Sequence, residues 1–180
     1  MSDYRRAILK GGTFFFTVVT YRRYPIFKEQ QSIDLLRQCF KTTIVTHPFR
    51  VDAIVVLPDH LHTIWTLPDD EFDFSTRWKL IKGAFSRNYS GLKPKHVSDS
   101  MGAKGEQGIW QRRFWEHAIR EQEDFNQHCD YIHYNPVKHG LANSPCEWKQ
   151  SSFRRLVEKG IYDVEWGRAV REELDGMDLE

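Results

Sequence analysis

Residues 57–68 read LPDHLHTIWTLP, an apolar, β-branched and aromatic run in which His60 and His62 stand two positions apart. Side chains on a strand alternate faces, so the two histidines share one face, about 6–7 Å apart along the chain. Val55 and Val56 lead into the turn pair Pro58-Asp59, and Ile64, Trp65 and Leu67 follow. The pattern predicts a hairpin over residues 50–57 and 60–67 whose second strand opens with the histidine pair. Two neutral imidazoles on one face can hold a divalent metal, and they can equally be stacked core or surface histidines with no ligand.

Upstream of the hairpin, the run TFFFTVVTYRR after Gly11-Gly12 is β-branched and aromatic and predicts a first strand, which Pro25 breaks. From Ser32, residues Ile33, Leu36, Phe40 and Ile44 fall at helical spacing, and Pro48 closes that helix. Downstream, Ser75 is a plausible N-cap for a second helix with Trp78, Ile81 and Phe85 inward and Lys79, Lys82 and Arg87 outward. Residues 88–108 hold four glycines and Pro94 without periodicity, which predicts a loop. IWQRRFWEHAI (109–119) predicts a fourth strand, and residues 121–135 a third helix ended by Pro136. Strand, helix, strand, strand, helix, strand is the βαββαβ order of an α+β, ferredoxin-like antiparallel sheet, here with an additional helix after it. SSFRRLVEKG predicts a short appended helix and tail, so residues 1–150 form the domain and 151–180 a tail that joins it or stays flexible.

The third helix reads EQEDFNQHCDYIHYNP. Its apolar stripe, Phe125, Cys129 and Ile132, is expected to dock on the sheet, and a polar row, His128, Tyr131 and Asn135, runs beside it. A tyrosine hydroxyl and a carboxamide one turn apart can reach one point in space, near the sheet face where His60 and His62 open. Equally, Tyr131 can merely pack and Asn135 merely cap the helix.

Bulk composition narrows the function classes. The 180 residues are 40% hydrophobic and 14% aromatic, enough for the core of one domain. The net charge is +1, but residues 1–50 carry nine basic against three acidic residues, and residues 151–180 five against eight. A basic front permits nucleic-acid binding on one face. Cys39, Cys129 and Cys146 are widely spaced and form no C-x-x-C pair, so neither a disulfide framework nor a zinc knuckle is indicated. With no membrane-length apolar run and a polar N-terminus, the expected location is cytoplasmic, with no membrane partner.

The ordered set YRR, KGGTFFFTV, VVLPDHLHTIWTLP, FSTRWKLIK, WQRRFWEHAI, YIHYNPVKHGL and SSFRR, spread over most of the chain, resembles the REP-associated tyrosine transposases. These are a branch of the single-tyrosine HUH transposases related to insertion-sequence enzymes. The resemblance implies that His60 and His62 ligate a divalent metal, that Tyr131 is the nucleophile, and that Asn135 is the third ligand. It implies a bacterial, nucleoid-associated enzyme that nicks single-stranded DNA beside REP-type hairpins, forms a 5′-phosphotyrosine and can rejoin strands. Where this sequence departs from the pattern, in its longer 88–108 loop, no function is carried over. The N/O ligand set suits Mg²⁺ or Mn²⁺, with the imidazoles favouring Mn²⁺ and zinc compatible with the spacing. No small-molecule cofactor is expected, and a monomer is favoured over a homodimer.

Arg5 and Arg6 on an N-terminal arm, Lys79 and Lys82 on the second helix, and Arg112 and Arg113 on the fourth strand are the candidate DNA contacts. Each can also be a solvated surface charge. His128 and His133 are read as packing or surface groups before catalytic bases, and Trp110 and Trp115 as core before base-stacking platforms. Two other functions compete. One is a non-catalytic single-stranded nucleic-acid or DNA-hairpin binder of the kind built on aromatic sheets, which the FFF run invites. The other is a hydrolase using a metal-bound water.

Overall fold

The computed structural model describes residues 9–91, 99–103, 105 and 107–168. Four strands, β1 (Thr13–Val19), β2 (Arg50–Val56), β3 (His60–Thr66) and β4 (Trp115–Ile119), form one sheet in the order β2-β3-β1-β4. Every pairing is antiparallel. With helices α1 (Gln30–Thr46) and α2 (Phe74–Asn88) between the strands, this is the ferredoxin-like arrangement. A helix α4 (Gln122–Lys138) follows β4, after a single turn α3 (Asp99–Gly102), and α5 (Phe153–Glu158) closes the described chain. Among the described residues, no helix is long and apolar enough to cross a membrane.

β1 lies at the centre and buries both of its faces. Phe14, Phe16 and Val18 point to one side, where Leu61 and Trp65 of β3 join Leu36 and Phe40 of α1 and Trp78, Ile81 and Phe85 of α2. Phe15 points to the other, against Ala53, Val55 and Ile64 and against Cys129, Tyr131 and Ile132 of α4. The indole of Trp65 is stacked on Trp78 at 4.2 Å between ring centroids, and Phe16 packs on both, at 4.9 and 5.6 Å. A continuous aromatic run thus reads as a strand covered on both sides rather than as an exposed platform.

Several boundaries differ from the sequence-based expectation. The first strand stops at Val19, and Tyr21–Arg23 forms a 3₁₀ turn in which Arg22 and Arg23 take left-handed φ of 54° and 52°. The cap of α2 is Asp73, not Ser75: its carboxylate accepts the Thr76 N–H at 2.8 Å. Pro136 does not end the third helix. α4 runs through it to Lys138, and the chain turns at Gly140, whose φ of 64° suits the left-handed position that terminates helices.

The fourth strand begins only at Trp115, so Arg112 and Arg113 sit on the connecting segment. Trp110 meets Thr20 in an isolated bridge, after which the carbonyls of Gln111 and Arg112 accept from Lys82 of α2. Residues 151–153 lie along the outer edge of β2 through the Val55–Ser151 bridge and the Ser152 N–H to Ile54 carbonyl bond, and Phe153 is fully buried.

Phe16→Ala is expected to lower the unfolding free energy by about 3–5 kcal/mol, the range for emptying a phenylalanine site in a packed core. Urea unfolding with an unchanged slope checks it.

Candidate active site

β3 sets His60, His62 and Ile64 on the face that α4 covers. His62 is opposite Thr17 in register, and Thr17 Oγ1 hydrogen-bonds its Nδ1 at 2.9 Å. His60 Nδ1 donates to Asp59 Oδ1 at 2.6 Å, and Arg23 reaches Asp59 Oδ2 at 3.3 Å. Burial pushes the Asp59 carboxyl up, and the hydrogen bonds and charges of His60 and Arg23 more than offset this, leaving it below the usual carboxylate range. An ionised Asp59 fixes the His60 tautomer with the proton on Nδ1, so Nε2 carries the lone pair. The rings of His60 and His62 are 4.9 Å apart and nearly perpendicular. Burial holds His62 well below the ordinary histidine range, helped by the positive charges of His60, His139, Lys138 and Arg23. It is neutral, as a metal ligand must be.

From the opposite side, α4 presents Tyr131, 1% exposed, and Asn135, fully buried. The Tyr131 ring is 5.2 Å from that of His62, edge to face, and Lys138 Nζ stands 5.3 Å over it. The fold thus brings Tyr131 against the histidine pair, with Asn135 one helical turn further along the same helix.

His62 Nε2 and both polar atoms of Asn135 are buried and have no hydrogen-bond partner among the described residues. An unpaired buried polar atom carries a penalty of about 1–3 kcal/mol, and two of them beside paired imidazoles fit a cation that takes one nitrogen and one amide oxygen.

A second polar group lies nearby. His117 of β4 and Asp124 and His128 of α4 bring one ligand atom each within 4.8 Å of one another, a geometry that can hold a metal ion. Here Asp124 already joins both imidazoles, at 2.9 Å to His117 Nε2 and 2.9 Å to His128 Nδ1. The two rings stack at 4.7 Å, and His128 lies 4.8 Å from Phe15, whose ring also meets His62. Sequence reasoning missed His117 and Asp124. Asp124 and His128 stand at an i,i+4 spacing that is visible in the sequence, but the approach of His117 depends on the sharp β4–α4 turn.

Of the remaining candidates, Arg5 and Arg6 lie outside the described residues. Lys79, Arg112 and Arg113 are exposed, and Lys82 is committed to the Gln111 and Arg112 carbonyls. Trp110 is core, as expected, but Trp115 is 41% exposed because β4 is an edge strand. His128 and His133 are buried packing groups, and His133 hydrogen-bonds Ser152 at 2.9 Å.

The model of the family described as "Transposase IS200 like" matches residues 10–135. The REP-associated tyrosine transposase of Escherichia coli (strain K12) is 43% identical over 171 residues, covering 94% of this chain and 93% of that one. The chain belongs to the REP-associated tyrosine transposases, a branch of the single-tyrosine HUH family. A Haemophilus influenzae relative is 40% identical, with 93% and 94% of the two chains covered. A solved structure of a REP-associated tyrosine transposase bound to a REP hairpin superposes with a TM-score of 0.77 at 40% identity, covering 96% of both chains.

Burial raises the Asp124 carboxyl, and bonds from His117 and the Arg120 N–H outweigh it, so its value falls below the ordinary one. A depressed carboxylate stabilises the fold fully above its unfolded value near pH 4, and that stability is lost as pH falls through the folded value. Asp124→Asn is therefore expected to be less stable than wild type at pH 7 and to lose stability less steeply below about pH 4. Urea unfolding across that range checks it; parallel curves would refute the clamp.

Proposed function

We propose that this enzyme cleaves single-stranded DNA beside REP-type hairpins by attack of Tyr131 on a phosphate held at His60, His62 and Asn135. The observation that carries the reading is the packing of the Tyr131 ring on His62, next to buried, unpartnered His62 Nε2 and Asn135 Oδ1. A divalent ion bound by these three residues, Mg²⁺ or Mn²⁺ by its N/O donors, would polarise the phosphate and stabilise charge growing on its oxygens. The REP hairpin as substrate rests on the likeness to the hairpin-bound relative.

The chain's own groups do the rest. Tyr131 Oη forms a bond to phosphorus while the bond from phosphorus to the 3′-oxygen breaks. The phenolic proton leaves, the 3′-oxygen gains one, and a 5′-phosphotyrosine and a 3′-hydroxyl result. The phosphoester is conserved, so the step can reverse or pass to another strand. Lys138 supplies positive charge beside the ring that must shed its proton. Thr17 and Asp59 hold the two imidazoles in orientation. Because Tyr131 is 1% exposed, bound DNA must displace what covers its hydroxyl. Regular duplex hides its phosphates' neighbours in a stack, whereas a splayed single strand can enter such a site.

The non-catalytic sheet-binding alternative needs surface aromatics. Phe14, Phe15 and Phe16 are fully buried, and helices cover both faces.

Incubation with labelled hairpin DNA and Mn²⁺ is expected to leave label on the protein after denaturing electrophoresis, and Tyr131→Phe to abolish it. Products without an adduct would instead assign a hydrolase. Asp59→Ala is expected to weaken Mn²⁺ binding about 10–100-fold through loss of His60 orientation. Asp124→Asn is expected to leave it within about twofold, and calorimetric titration separates the two sites.

A further inference from the structure

β4 and α4 meet at a group of side chains that the chemistry at Tyr131 leaves unused. His117 of β4 and Asp124 and His128 of α4 bring one ligand atom each within 4.8 Å of the others. The Asp124 oxygens lie 2.9 and 3.0 Å from His117 Nε2, and Oδ1 lies 2.9 Å from His128 Nδ1. Donor atoms around a tetrahedral zinc ion, with bonds of about 2.0–2.2 Å, stand about 3.3–3.5 Å apart. The separations between carboxylate and imidazoles therefore need to open by only about half an ångström to admit one.

Hydrogen bonding alone does not use up the group. His128 is 5% exposed. Its Nδ1 is engaged by the Asp124 carbonyl at 2.8 Å and by the carboxylate, while its Nε2 is buried with no hydrogen-bond partner among the described residues. The three side chains are also held in place. The two imidazoles stack at 4.7 Å, Trp115 stacks on His117 at 6.1 Å, and Phe15 packs on His128 at 4.8 Å. The Arg120 N–H donates to Asp124 Oδ2 at 3.1 Å, the kind of outer contact that orients a ligating carboxylate. Exposure falls from 35% at the His117 side chain to 18% at Asp124 and 7% at His128, so an ion has a way in from solvent and a closed inner wall.

We propose that His117, Asp124 and His128 form a second metal site, distinct from the His60, His62 and Asn135 group, which takes Zn²⁺ with water completing the shell. Two imidazoles and one carboxylate favour Zn²⁺ over Mn²⁺ and over Mg²⁺, which prefers oxygen donors. The ion ties the edge strand β4 to the start of the helix that carries Tyr131. The site stands whether or not Tyr131 cleaves DNA.

The test loads the full chain with Zn²⁺ alone and counts bound zinc after equilibrium dialysis. Wild type is expected to hold two ions per chain, His62→Ala one, and His117→Gln one. The glutamine amide can still donate to Asp124, so this variant keeps a hydrogen-bonded tie while losing a ligand, and its circular dichroism spectrum is expected to be unchanged. His117→Cys, which restores a zinc ligand, is expected to recover the second ion. Zinc is expected to slow amide exchange over residues 117–124 at least about tenfold in wild type and to leave it unchanged in His117→Gln. Equal zinc content in wild type and His117→Gln, or equal exchange protection in the two, would overturn the second site and leave the DNA-processing reading standing. That comparison holds even where His62→Ala, which empties a buried position, does not fold.

Discussion

Three consecutive phenylalanines in a strand impose a requirement that a one-sided sheet cannot meet. Phe14 and Phe16 face one way and Phe15 the other, and each is worth about 1.5–3 kcal/mol when fully buried. α1 and α2 cover the first pair. Phe15 must be covered by something else, and α4 does so with Cys129 and Ile132. Thr17 and His62 share that face, so docking α4 for apolar reasons delivers Tyr131 to His62. The geometry of the candidate site follows from how the central strand is buried.

The same packing places polar groups where water cannot serve them. His62 and Asn135 are fully buried, and Thr17 satisfies only one nitrogen of His62. A core selected for stability alone would have apolar residues there. The unspent nitrogen and amide oxygen are a local loss that the surrounding aromatic core offsets, and they are what a cation can use. In the His117, Asp124 and His128 group, Asp124 holds one nitrogen of each imidazole, which makes it a tie between β4 and the start of α4.

Much of this was legible because periodicity reports burial. The hairpin, its shared histidine face, the two helices over Phe14 and Phe16, and the Tyr131–Asn135 spacing all follow from local pattern. What was hidden depends on contacts distant in sequence. Proline suggested a helix end at Pro136, yet the chain turns at Gly140, because the left-handed glycine rather than the missing N–H sets the terminus. The apolar alternation of residues 109–119 suggested one strand, but Lys82, about thirty positions earlier, takes two of its carbonyls. Trp115 looked like core, and its exposure comes from the edge position of β4, which no single strand's sequence declares.

The end of β1 is where these constraints converge. Within four residues it passes from Thr17, which holds His62, to Thr20, whose hydroxyl donates to Asp59 O and Tyr24 O at 2.8 Å. Arg22 and Arg23 then adopt a left-handed backbone that costs non-glycine residues about 1–3 kcal/mol each. The turn persists because it is tied on three sides: to Asp59 through Thr20, to Ile109 through the Tyr21 N–H, and to the Asp59 carboxylate through Arg23. Relaxing it would free Arg23 and loosen the carboxylate that orients His60. Strain in the backbone is thus exchanged for a fixed imidazole.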